Sequence, residues 1–211
     1  MQPDAQRRRL TLGLSGLLLA GPALAGRLLT TPAQTAGPFY PLEFPLDDDN
    51  DLTRVRGRNG VARGRITDIE GRVLDADGRP IAGARVEIWQ CDAHGRYHHP
   101  HDQGGPLDEN FQGFGRHSTD AGGRYRFRTI RPVPYPGRTP HIHYAVFIPG
   151  RPPFTTQLYV AGDPGNGGDF LYRRIPAERR HLVTAEFLPV RSGNAEFEAC
   201  FDLILGGTPR L

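Results

Sequence analysis

Lysine is absent from this 211-residue chain, and all 26 of its basic residues are arginine. That absence excludes a lysine Schiff base, a pyridoxal phosphate linkage and a Walker-A phosphate loop. Serine occurs only at Ser15, Ser118 and Ser192. Neither of the last two lies in a Gly-x-Ser-x-Gly elbow, which argues against a serine hydrolase. Cysteine is limited to Cys91 and Cys200. Two readings stay open for them: a disulfide of roughly 4–5 kcal/mol in the chain-entropy model, or two separate buried thiols. No aromatic-basic array is present, so nucleic acid is not an expected partner. No uninterrupted apolar run approaches the roughly 20 residues of a bilayer-spanning helix, so no stable membrane span is expected.

The N-terminus reads as an export leader. Arg7-Arg8-Arg9 precedes an apolar stretch over 10–19, Gly21-Pro22 interrupts it, and Ala23-Leu24-Ala25 forms a small-residue cleavage site. The paired arginines suggest the twin-arginine route, with a Sec signal or an uncleaved anchor as alternatives. Release near Gly26 would deliver the protein to the periplasm or the exterior. Loss of residues 1–25 removes Arg7, Arg8, Arg9 and Asp4, so the formal charge of +3 falls to about +1.

Glycine (27) and proline (20) are abundant, which suits short strands and long loops better than helices. Residues 26–60 read as an irregular arm. Its acidic run Asp47-Asp48-Asp49-Asn50-Asp51 lacks the glycine and distal glutamate of a calcium loop and reads as a solvated turn. From residue 61 to 211 the signals describe one all-β domain. Turn chemistry at Asp75-Ala76-Asp77-Gly78 and Asp120-Ala121-Gly122-Gly123 precedes alternating runs at 84–89 and 124–128. Further strands are expected at 141–148, 155–160, 182–190 and 196–205, with a helical turn within 173–180. Seven or eight strands at this spacing predict a β-sandwich of prealbumin-like or immunoglobulin-like type, with long functional loops and little helix. Residues 92–118, carrying His94, His98, His99, His101 and His117, read as a polar loop over the mouth of a site.

The chemistry concentrates in Tyr97, Tyr135, His141 and His143. Side chains at i and i+2 of a strand leave the same face about 7 Å apart, so His141 and His143 can reach one ion while Ile142 faces away. Tyrosine is a rare ligand. Its phenol, with a pKa near 10, must ionise to bind tightly, which calls for a hard and highly charged cation such as iron(III). Two phenolates and a hydroxide neutralise iron(III), and neutral imidazoles complete its shell without further charge. No Asp or Glu lies between Ala121 and Gly162, which disfavours a two-histidine, one-carboxylate iron(II) triad there.

In order along the chain stand Gly71-Arg72-Val73-Leu74, Asp77-Gly78-Arg79-Pro80, Val86-Glu87-Ile88-Trp89-Gln90, Gly95-Arg96-Tyr97, Gly122-Gly123-Arg124-Tyr125, Arg138, Pro140-His141-Ile142-His143, Gln157-Leu158-Tyr159 and Gly162-Asp163-Pro164. This text resembles the intradiol ring-cleavage dioxygenases over most of residues 35–165. The resemblance implies iron(III) held by Tyr97, Tyr135, His141 and His143, with Tyr135 matching the axial tyrosine that yields to substrate. Arg138 and Gln157 match residues beside the bound ring, and the implied partners are a catechol-type small molecule and O2. The chain is similar to the protocatechuate branch in lacking a long helical N-terminal segment. It departs from that branch in the short stretch from Tyr135 to His141, where Gly137 replaces a tryptophan. Homo- and hetero-oligomers are both compatible with the resemblance. Two other functional classes stay in play: a non-catalytic exported binding module on the same sandwich, and a zinc-dependent hydrolase.

Overall fold

A computed structural model describes residues 26–206 apart from Leu46 and Ser192. The leader assigned to residues 1–25 lies outside the described residues. The strands are β1 (Ile66–Asp75), β2 (Arg85–Trp89), β3 (Phe114–Ser118), β4 (Arg124–Ile130), β5 (His141–Phe147), β6 (Phe154–Val160), β7 (Thr184–Ala185), β8 (Leu188–Pro189), β9 (Phe197–Cys200) and β10 (Leu203–Leu205). One short helix, α1 (Phe170–Arg174), lies between 3₁₀ turns at Pro164–Gly167 and Ala177–Val183. Among the described residues no helix is long and apolar enough to cross a membrane.

The strands form two five-stranded sheets packed face to face. In the first, β1 pairs antiparallel with β4 on one side and parallel with β9 and then β10 on the other. Its strands alternate in the usual half-buried way: Ile69, Val73, Tyr125 and Phe127 point into the sandwich while Glu70, Arg72, Arg124 and Arg126 are exposed. The second sheet runs β3-β2-β5-β6-β7. Val86, Ile88, Ile142, Tyr144, Val146 and Leu158 fill the core from this side. Its central strands are buried on both faces, so chain outside the sandwich must cover the outer one.

Three expectations need correction. Residues 114–118 are strand β3 rather than loop, and His117 lies on it. Its Gly-Arg-His-Ser run hides the strand because β3 is a sheet edge capped by the arm: Arg116 N donates to the Asp48 carbonyl at 2.9 Å and its guanidinium pairs with Asp48 at 2.6 Å. The same stretch reaches β4, where Leu52 N donates to the Arg128 carbonyl and Arg128 N to that of Asn50. The acidic run thus protects two open sheet edges. Residues 182–190 supply a 3₁₀ turn and two two-residue strands instead of one long strand. Pro176, which cannot donate a helical hydrogen bond, separates α1 from that turn.

The third correction concerns residues 196–205, which divide into β9 and β10. Phe201 and Asp202 step out of the ladder, with Arg72 N donating to the Asp202 carboxylate at 2.8 Å and Tyr125 OH to the Phe201 carbonyl. Gly71 lies opposite this step, and a Cβ there would overlap the Phe201 carbonyl oxygen. Cys200, exposed on β9, and Cys91, buried after β2, are both free thiols, which closes the disulfide reading. Gly71→Ala is expected to destabilise the protein by at least about 2 kcal/mol, because a rigid backbone atom must move. Urea unfolding at constant m-value measures it.

Candidate metal centre

On β5 the alternation of side chains sends Ile142, Tyr144 and Val146 into the core and His141 and His143 to the outer face. The register sets Tyr159 opposite His141, Gln157 opposite His143 on β6, and Trp89 opposite His143 on β2. Trp89 stacks on the His143 ring at 4.9 Å and 7°. His141 Nδ1 lies 2.7 Å from the Thr139 carbonyl, which only accepts, so Nδ1 carries the proton and Nε2 presents a lone pair. That Nε2 is 3.2 Å from Nε2 of His143. Two nitrogens each about 2.1 Å from a shared ion can be this far apart.

Tyr97 and Tyr135 come from different loops. Asp92 organises the first, accepting from His94 N (2.8 Å), Arg96 N (3.0 Å) and Asp108 N (2.8 Å), while Asp102 accepts from Tyr97 N at 2.9 Å. The second is a tight turn. Arg138 N donates to the Tyr135 carbonyl at 2.9 Å around Pro136 and Gly137, whose φ is +82°. Proline followed by a glycine of positive φ is the type II pattern, and it sets Tyr135 beside Arg138. The Tyr97 and Tyr135 rings meet edge-on at 5.4 Å, Tyr135 lies 5.4 Å from His141, and Tyr97 lies 6.1 Å from His143. All four predicted residues therefore gather on one face.

Around them the arm forms a lid. Gln34 N donates to the Thr155 carbonyl at 2.8 Å, the Gln34 side chain accepts from Tyr159 OH at 2.7 Å, and Gln157 Nε2 donates to the Thr35 carbonyl at 3.1 Å. Phe39 stacks on Tyr97 at 4.6 Å, and Tyr40 donates to the buried Glu87 at 2.7 Å. Arg138 is pinned at three corners: Nε to Asp169 (2.7 Å), one terminal nitrogen to Gln157 (2.6 Å), and the other facing Tyr135 OH at 3.4 Å.

Burial shapes the electrostatics. It pushes the Tyr97 phenol well above its usual value, and it raises Tyr135 against the opposing pull of Arg138. It also lowers His141 to about 4, assisted by Arg138, and holds His143 well below the ordinary imidazole range. Asp169 is pulled up by burial, yet the Tyr172 N–H, the Arg138 guanidinium and the Thr139 N–H together hold it below the carboxylate norm. The pocket alone is thus a set of neutral phenols and neutral imidazoles. Among the described residues Tyr97 OH and His143 Nδ1 find no hydrogen-bond partner, an arrangement that buried polar atoms normally avoid. Two imidazoles and two phenols in this setting fit a hard, highly charged cation. Among the described residues no group of three or more His, Cys, Asp or Glu is placed to hold an ion.

Several site residues escaped sequence reasoning. Tyr159 shares a face with Gln157 by the same i, i+2 rule that pairs the histidines, so its signal was available. Asp169 shows only as an N-cap before a short helix, and the roles of Gln34, Phe39 and Trp89 depend on packing. The loop histidines do not converge: His98 Nε2 meets the Asp108 carbonyl at 3.0 Å, and His99 Nδ1 accepts from His101 N at 3.2 Å. Gly137→Ala is expected to cost about 1–2 kcal/mol through φ alone, since a Cβ there meets open space. Gly137→Asn should cost less, and thermal unfolding of the pair checks the order.

Comparison with known proteins gives a consistent picture. The Dioxygenase_C family model, described as Dioxygenase, matches residues 35–207. The chain is 40% identical over 182 residues to the protocatechuate 3,4-dioxygenase beta chain of Burkholderia cepacia, covering 81% of this chain and 77% of that one. It is 35% identical over 153 residues to hydroxyquinol 1,2-dioxygenase of Corynebacterium glutamicum, covering 64% of this chain and only 48% of that one. The chain therefore spans about half the length of that second relative. Among solved structures, the dioxygenase domain of a dioxygenase carbohydrate-binding protein fusion from Streptomyces sp. SirexAA-E superposes with a TM-score of 0.64 at 30% identity. That match covers 85% of this chain and 99% of that one.

Proposed function

The chain belongs to the intradiol ring-cleavage dioxygenase family, and from that premise we propose that it uses iron(III) and O2 to cleave a catechol between its two hydroxylated carbons. The product is a muconate-type diacid, which takes up both oxygen atoms, so no external reductant is consumed. The observation that carries this reading is the gathering of Tyr97, Tyr135, His141 and His143 on one buried face. The named relatives act on protocatechuate and hydroxyquinol, which supports a dihydroxylated benzene ring as the substrate class.

We assign Tyr97, Tyr135, His141 and His143 as the residues that hold the ion. A ferric ion held there would supply a Lewis acid that favours ionised phenols and draws electron density from a catechol ring. The protein's own groups do the rest. Tyr97 is enclosed, whereas Tyr135 is half-buried on a short exposed turn, so Tyr135 would be the phenolate free to move and accept a catechol proton. Arg138, with one terminal nitrogen facing the Tyr135 hydroxyl, stabilises the negative charge that develops as oxygen attacks. Gln157 steadies Arg138 from the opposite side. Phe39 and Trp89 pack against the Tyr97 and His143 rings and exclude water. Neither a passive binding module nor a zinc hydrolase accounts for one buried and one half-buried tyrosine meeting two buried histidines.

The visible spectrum of the purified protein, with and without catechol in the absence of oxygen, tests the reading. A tyrosinate-to-iron(III) band that shifts with catechol is expected. In Tyr135→Phe the band should weaken and the shift should slow. A protein that stays colourless after iron reconstitution overturns the assignment. The Arg7-Arg8-Arg9 leader further supports export, and N-terminal sequencing of the secreted protein should begin near Gly26. Recovery of the intact Met1 end in the cytoplasm would refute it.

A further inference from the structure

We propose that Asp169 is a positioning residue for the reaction, its one carboxylate holding both the Arg138 guanidinium and the backbone N–H of Thr139, the residue whose carbonyl meets His141. The inference rests on the ring-cleavage reading for what Arg138 does. Its own support is geometric. Oδ2 accepts from Arg138 Nε at 2.7 Å and from Thr139 N at 3.1 Å, while Oδ1 accepts from Leu171 N and Tyr172 N at 2.9 Å each. One oxygen thus faces the site and the other caps α1. The ion pair is sealed, with the Arg138 and Asp169 side chains 7% and 0% exposed.

A guanidinium is a planar fork whose direction is set once two of its nitrogens are held. Asp169 holds Nε and Gln157 holds one terminal nitrogen, which leaves the other directed at the Tyr135 hydroxyl. Without Asp169, Nε loses its partner and the fork keeps only Gln157 at 2.6 Å and the longer contacts to the Tyr135 and Tyr159 hydroxyls at 3.4 and 3.5 Å, about which it can pivot. The effect extends along the backbone as well. Thr139, whose N–H is held by Asp169, offers its carbonyl to His141 Nδ1 at 2.7 Å. Thr139 Oγ1 is separately tied to Asn166 at 2.9 Å, so the loop keeps a tether when Asp169 is changed.

The competing interpretation is that Asp169 merely caps α1. Asparagine separates the two, because it caps helices about as well as aspartate. Its amide oxygen can keep Leu171 N and Tyr172 N, but its NH2 then meets Arg138 Nε and Thr139 N, donor against donor. Asp169→Asn therefore preserves the cap and breaks the half that faces the site.

The test uses the iron-loaded protein with D169N, R138Q and the double variant, following iron per chain, the ferric band, melting temperature, kcat and KM. D169N is expected to keep its iron and colour, lose on the order of 10²-fold in kcat with little change in KM, and add nothing to the loss in R138Q. Parental kcat in D169N, losses that multiply in the double variant, or loss of iron in proportion to activity would each overturn the proposal. D169S, which caps with a smaller group and leaves room for water beside Arg138, carries the same test if D169N is recovered unfolded. The unmodified protein separates the two levels of inference. A colourless, inactive parent removes the dioxygenase reading, whereas a coloured, active parent with an indifferent D169N removes only the role of Asp169.

Discussion

Burial of the outer face of the second sheet is the constraint on which the rest depends. A sandwich normally leaves that face to water, and Glu87, His141, His143, Gln157 and Tyr159 are all of the polar or amphipathic kind that water would satisfy. Here the arm and two loops exclude it, so each group needs a partner from the protein. Glu87 finds Tyr40 and Arg85, Gln157 finds Thr35, and Tyr159 finds Gln34. Among the described residues Tyr97 OH finds no partner, and the two imidazole Nε2 atoms face each other at 3.2 Å. The arm that covers the face therefore also sets which donor atoms stand together beneath it.

The same enclosure tunes the charges. Desolvation raises the phenols and lowers the imidazoles, so these four side chains by themselves carry no charge. Arg138 is the exception, a permanent positive charge beside a place suited to a cation. Asp169 makes that arrangement tolerable, since a sealed carboxylate at 2.7 Å offsets the guanidinium charge while leaving one of its N–H groups available. Buried ion pairs seldom add stability for their own sake; this one sits where orientation matters.

The turn at Tyr135 connects these ideas to the backbone. Pro136 and Gly137 bring Tyr135 and Arg138 to adjacent corners of one short turn, so the half-buried phenol and the guanidinium that faces it share a rigid base. The shortness of this segment, conspicuous in the sequence, is the geometric means of pairing them.

Much of this was legible beforehand. Period-2 spacing put His141 and His143 on one face and Ile142 on the other, and the hard-cation argument linked them to Tyr97 and Tyr135. Turn glycines and alternating runs implied a sandwich. Edge strand β3 was hidden by its Gly-Arg-His-Ser composition, and the division of β9 from β10 by a step at Phe201 that leaves no local pattern. Local spacing and side-chain chemistry are properties of the chain itself, so the sequence determined which donor side chains are available and which strand face the histidines take. Only the tertiary structure decided that residues 34–40 would close the pocket and that Asp169 would meet Arg138 across 31 positions. Such contacts arise from how separate elements pack, and no periodicity within either segment encodes them.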